Sequence, residues 1–147
     1  MVTEGEGRLI ELPGWSMLVK IGADDTGGTL SVVHGHMAAT HAGPSEHVHD
    51  GHDETFFVVA GSLRFRLGDS YHRVDAGSTV FAPRGRAHGF SNPFDRPATY
   101  VVTLTPAGYE RYFAKVAGHF KRTGALPDQA TSAAWMAETG TRPALPV

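Results

Sequence analysis

Residues 47–61 read HVHDGHDETFFVVAG and residues 77–92 read GSTVFAPRGRAHGFSN. In the first stretch, one residue separates His47 from His49. If that segment is extended, side chains alternate between the two faces of the strand, so both imidazoles project from the same face. Glu54 opens the following strand, and the Asp50-Gly51-His52-Asp53 turn folds its carboxylate back toward the pair. In the second stretch, a Pro-x-Gly turn at Pro83-Arg84-Gly85 re-aims the chain before His88. Three histidines and one carboxylate form a facial set that holds a divalent metal and leaves positions open for water, substrate or dioxygen. His-x-His alone is a weak signal. The chain carries a second copy, His34-Gly35-His36, with no carboxylate after it, and that pair is read as packing or pocket lining.

The surroundings are those of an all-β unit. From Trp15 to Thr105, short apolar or alternating runs (15–21, 29–38, 54–60, 62–67, 71–74, 78–82 and 98–105) are each closed by Gly, Pro, Asp or Ser. In Ser62-Leu63-Arg64-Phe65-Arg66-Leu67 the period is two, placing Leu63, Phe65 and Leu67 inside and the arginines in water. After Pro106 the period changes. Tyr109, Tyr112, Phe113, Val116, Ala117 and Phe120 form the stripe of an amphipathic helix that Gly124 and Pro127 end. A second, weaker helix is expected over 129–138, and residues 139–147 read as a loose tail. With 147 residues one domain is expected: an N-terminal arm over 1–14, a barrel over 15–105 and a helical extension over 106–147.

The two quoted stretches spell His-x-His-x4-Glu-x6-Gly and Gly-x5-Pro-x-Gly-x2-His-x3-Asn, and in this they resemble the paired motifs of the cupin superfamily. One position departs. Where the usual first motif has a Gly six residues before its first His, this chain has His41, with Gly43 two residues later, so a different turn into the metal strand is expected. The fifteen residues between Gly61 and Gly77 make the short intermotif loop of small single-domain members. The resemblance implies a double-stranded β-helix, a jelly-roll barrel with one or two C-terminal helices. It also implies one divalent metal ion at His47, His49, Glu54 and His88. Fe, Mn, Ni, Co, Cu and Zn all suit such a set. Gly61 and Gly85 would make left-handed turns.

Glu54 shares its strand face with Phe56 and Val58, and Phe90 follows His88 on the same face, so the ligands are expected among aromatics. Phe81, Met37, His36 and Trp15 extend this lining, and His41 and His52 flank it. Such a pocket suits an aromatic, phenolic or polyketide-like molecule better than a sugar phosphate, which would need inward Arg or Lys. The short form with a PAGYERYF helix after the last strand looks similar to quercetinase-type enzymes of secondary metabolism. That likeness implies a dioxygenase in which the substrate's hydroxyl and ketone chelate the metal, Glu54 removes the hydroxyl proton and dioxygen attacks. The alternatives are a redox-neutral cyclase, isomerase or decarboxylase on the same metal, and a non-catalytic cupin that binds a small ligand. A homodimer is the family expectation.

Composition closes off other classes. A net charge of −2 without runs of like charge gives no basic surface for nucleic acid or an anionic membrane. The absence of cysteine removes thiol chemistry and Cys–metal sites. An acidic start in place of a basic leader, and the lack of any long apolar run, make a cytoplasmic protein the expectation.

Overall fold

The computed structural model describes residues 1–144. Its strands are β1 (Arg8–Leu12), β2 (Trp15–Ile21), β3 (Ser31–Met37), β4 (His47–His49), β5 (Asp53–Ala60), β6 (Ser62–Leu67), β7 (Ser70–Asp75), β8 (Thr79–Ala82), β9 (His88–Ser91), β10 (Ala98–Thr105) and β11 (Thr141–Pro143). Its helices are α1 (Ala23–Thr26), α2 (Glu110–Thr123) and α3 (Gln129–Ala137). Two antiparallel sheets face each other, one in the order β1-β2-β3-β10-β5-β8 and the other β11-β4-β9-β6-β7. No helix among the described residues is long and apolar enough to cross a membrane.

Alternation builds the core. Phe56 and Val58 of β5, Leu63 and Phe65 of β6, Phe90 of β9 and Tyr100 of β10 turn inward and are buried. Each such side chain contributes about 1.5–3 kcal/mol relative to exposure. Tyr100 leaves no room for a side chain on β3: a Cβ built on Gly35 would lie 2.1 Å from its ring. Its hydroxyl accepts a hydrogen bond from the indole N–H of Trp15 at 2.7 Å. The reversals at Gly61 and Gly85 have φ of 73° and 78°, as left-handed turns require.

Three segments depart from the sequence reading. The arm carries a strand, β1, because Ile10 has an apolar inner face to bury. The acidic Asp24-Asp25 turn forms the single-turn helix α1, whose Ala23 N–H is capped by the carboxylate of Glu110 at 2.9 Å. The expected loose tail is ordered at 141–143, where β11 pairs with β4. Residues 145–147 of that tail lie outside the described residues.

Candidate metal centre

β4 is so short that its whole length serves the site: His47, Val48 and His49 are all buried. β9 places His88 opposite His47 in register, and β5 delivers Glu54 from the neighbouring sheet opposite Ala82, a residue small enough to leave space beside the carboxylate. The donor atoms of His47, His49, Glu54 and His88 all lie within 4.8 Å of one another, and all four residues are buried. Nε2 of His49 is 3.2 Å from Glu54 Oε1, and Nε2 of His88 is 3.2 Å from Oε2. Such separations approach the roughly 3 Å between ligands that each sit about 2.1 Å from one ion.

The outward nitrogens are all occupied. The Nδ1 atoms of His47 and His88 donate to the carbonyls of Ser45 and Arg86 at 2.7 and 3.0 Å, and that of His49 donates to the hydroxyl of Thr141 at 2.8 Å. A proton held on Nδ1 leaves the Nε2 lone pair free toward the centre, as metal ligation requires. Nε2 of His49 is also buried with no hydrogen-bond partner, despite the carboxylate nearby. A divalent cation satisfies that orphaned atom, so the donor set fits the metal that the sequence implies.

Electrostatics point the same way. Burial, reinforced by His88 and His49, pushes the His47 imidazole down to about 3, and burial lowers His49 as well. Burial opposes charge on His88 too, but the facing Glu54 carboxylate outweighs it and raises that imidazole. For Glu54, burial favours the neutral acid, yet the imidazoles of His49, His52 and His88 prevail and hold it well below the usual range. The centre therefore offers neutral His47 and His49 imidazoles and an anionic carboxylate near neutral pH, and His88 is the imidazole that Glu54 disposes to hold a proton until an ion displaces it.

Residues 33–104 match the Cupin domain family. The chain carries a cupin domain. No curated protein matches the sequence. Among solved structures, KdgF from Halomonas sp. is 19% identical over 75% of this cupin and 96% of the other chain, with a TM-score of 0.65. The polyketide cyclase RemF from Streptomyces resistomycificus is 18% identical over 71% and 78%, with a TM-score of 0.63. A sugar phosphate isomerase of the cupin superfamily from Silicibacter pomeroyi is 26% identical over 71% and 68%, with a TM-score of 0.56.

Beside Glu54 this cupin has a small cavity of about 30 Å³, walled by Trp15, Met17, Val33, Phe90, Tyr100, Val102 and Leu104 from the barrel and by Tyr109 and Phe113 from the helical side. Trp15 and Phe113 also line an apolar pocket of about 360 Å³ on the other side, which reaches His41, Ser45, Val116 and Met136. Of the expected lining residues, Phe90 and Trp15 border the cavity. Phe56, Val58 and Met37 turn inward but belong to the close-packed core. Two expectations are corrected. Phe81 is 57% exposed because β8 turns Val80 and Ala82 inward, and His36 is exposed because β3 turns Gly35 and Met37 inward; a strand cannot present adjacent residues to one face.

His41 does not touch the ligands. Its Nε2–H donates to the Pro13 carbonyl at 3.0 Å and its Nδ1 accepts from the Gly43 N–H at 2.9 Å, which fixes the turn where the usual motif glycine is displaced. His52 is buried, its ring 3.8 Å from that of His49. Two residues at the centre escaped the sequence reading. Thr141 lay in the supposed tail. Tyr109 was assigned to a helix stripe, yet its ring lies 4.5 Å from that of His49. Only the position of Tyr109 next to the barrel's last strand hinted at a place near the mouth.

Proposed function

We propose that this cupin is a metal-dependent enzyme that binds a small, largely apolar molecule through its oxygens and moves a proton on it without net oxidation, as in cyclisation or isomerisation. The observation that carries this reading is the convergence of three Nδ1-anchored histidines on an ionised Glu54 that borders a small apolar cavity. An ion held by His47, His49, Glu54 and His88 would supply Lewis acidity, polarising a carbonyl and acidifying the adjoining C–H or O–H. Glu54, held ionised, is the base that accepts the proton. Phe90, Tyr100, Val102 and Leu104 keep water from the reacting atoms, so the charge of Glu54 acts through a poorly screened medium. The names of two similar structures, a polyketide cyclase and a sugar phosphate isomerase, support redox-neutral chemistry.

A dioxygenase is the second reading, favoured by the size of the cavity: about 30 Å³ of apolar space beside Glu54 suits a diatomic molecule. One experiment separates the two. Metal-loaded protein is incubated in deuterium oxide with a flavonol, a β-diketone and an α-hydroxyketone, with NMR following deuterium exchange and an electrode following oxygen. The proposal expects exchange or rearrangement without oxygen consumption, and loss of both in Glu54→Gln. Stoichiometric oxygen uptake supports the dioxygenase instead, and no turnover of any kind across the panel counts against both.

A further inference from the structure

Among the described residues, three buried side-chain polar atoms lack a hydrogen-bond partner: Nε2 of His49, Nε2 of His52 and the hydroxyl of Tyr109. The first is explained by metal ligation, and the second faces Glu54 Oε1 at 3.9 Å. The Tyr109 hydroxyl has no such explanation. Tyr109 is 2% exposed, and together with Glu54 it walls the small cavity. Its ring lies 4.5, 5.2 and 6.0 Å from those of His49, His52 and His47. Tyr112 stacks on it at 5.4 Å and Phe113 meets it edge-on at 5.0 Å, and neither makes a hydrogen bond with its hydroxyl.

The ring is not free to swing out in search of water. Tyr109 immediately precedes α2, and the carboxylate of the next residue, Glu110, accepts hydrogen bonds from Ala23 N–H, Ser31 O–H and Gly108 N–H at 2.8–2.9 Å. The backbone is thus pinned on both sides of Tyr109, and α2 is clamped to β3 and α1. If packing were its only role, phenylalanine would serve better, since it buries the same ring without an unsatisfied hydroxyl. A buried donor held in place beside a metal centre is preorganised for a ligand that brings the acceptor.

We propose that Tyr109 is a ligand-recognition residue of this cupin. Its hydroxyl donates a hydrogen bond to one oxygen of a small molecule whose neighbouring oxygen is bound at the metal centre. The ligand class is a compact apolar frame carrying two nearby oxygens, such as a hydroxyketone or an enolised diketone; its frame exceeds the cavity of about 30 Å³ and enters as Trp15 and Phe113, which line both that cavity and the pocket of about 360 Å³, give way. A ligand with a single donor atom gains nothing from Tyr109. This rests on the metal-centre reading above and adds to it a residue outside the donor set.

The test uses the full-length protein loaded with Co(II), whose absorption reports ligand binding. Tropolone serves as a probe with two adjacent oxygens on an apolar ring, and azide as a probe with one donor atom. Tyr109→Phe is expected to weaken tropolone about tenfold, the effect of leaving a buried acceptor unpaired. Azide affinity and Co(II) uptake should stay unchanged, and the melting temperature should hold or rise because an orphaned hydroxyl is gone. The inference is overturned if wild type takes up Co(II) but does not bind tropolone, if both proteins bind tropolone equally, or if azide weakens in parallel. It is also overturned if Tyr109→Phe loses cobalt or melts much lower, since Tyr109 would then be structural. Wild type that takes up no Co(II) overturns the metal-centre reading itself, a distinguishable result.

Discussion

Replacing Thr141 with valine keeps the β-branched shape on β11 and removes one oxygen. That oxygen accepts the Nδ1–H of His49 at 2.8 Å in a position where Thr141 is 2% exposed and His49 fully buried. Water cannot take its place, so the change leaves a buried donor unpaired at a cost of about 1–3 kcal/mol. The imidazole escapes that cost by moving its proton to Nε2, the atom it would present to the metal, or by rotating away. Either response weakens ligation. Loss of such an outer partner lowers metal affinity by about 10–100-fold, or about 1.4–2.8 kcal/mol. Competition for Zn(II) against a chromophoric chelator at neutral pH measures this directly, and Thr141→Ser, which restores the oxygen, should recover most of the affinity. If the valine protein holds Zn(II) within about twofold of wild type, or if serine is no better than valine, the tautomer argument fails.

Three further outcomes are expected. His49→Ala should abolish stoichiometric metal binding whereas His34→Ala, on the exposed outer face of β3, should not; equal losses in elemental analysis would mean that the wrong His-x-His pair had been assigned. Glu110→Ala leaves three donors without their carboxylate and should destabilise the protein by about 3 kcal/mol, read as a fall in melting temperature of roughly 6–12 °C; a fall of only a degree or two would mean that the clamp on α2 is not needed. Metal-free protein should lose stability as pH falls from 6.5 toward 5, because the unfolded chain takes up protons that native His47, lowered to about 3, and His49 refuse. His88, raised in the folded state, makes a contribution that is full below 6.5 and fades only as pH rises through its raised value, so it does not offset the decline in this range. Two groups refusing protons over this range give a decline of about 2–3 kcal/mol. Urea unfolding across this range checks it, and a flat or rising stability would contradict the assignment.

What could be read from the sequence was local. His47, His49 and Glu54 lie within eight consecutive residues, so strand alternation and one short turn nearly suffice to aim them at one point, and the Pro-x-Gly turn does the same for His88. Alternation also located the strands, since β2, β6 and β10 begin and end where the apolar runs do. It did not supply the phase for every strand. In β3 and β8 both faces carry large side chains, and burial of Met37 and Val80 settled that His36 and Phe81 point out. Long-range partners left no local trace. Thr141 joins His49 across 92 residues, and its pairing depends on a short strand after α3 that has no apolar alternation of its own. Tyr109 looked like one more aromatic in a helix stripe, because a hydroxyl's lack of a partner is visible only once its surroundings are assembled.

Everything proposed for this protein depends on a metal ion held by His47, His49, Glu54 and His88. Elemental analysis of the protein purified without chelator and without an affinity tag tests it most directly. The geometry predicts close to one equivalent of a divalent transition metal per chain, surviving dialysis at neutral pH and absent from His49→Ala. Less than about 0.2 equivalent in wild type, with no uptake when Zn(II) or Co(II) is added, would contradict it.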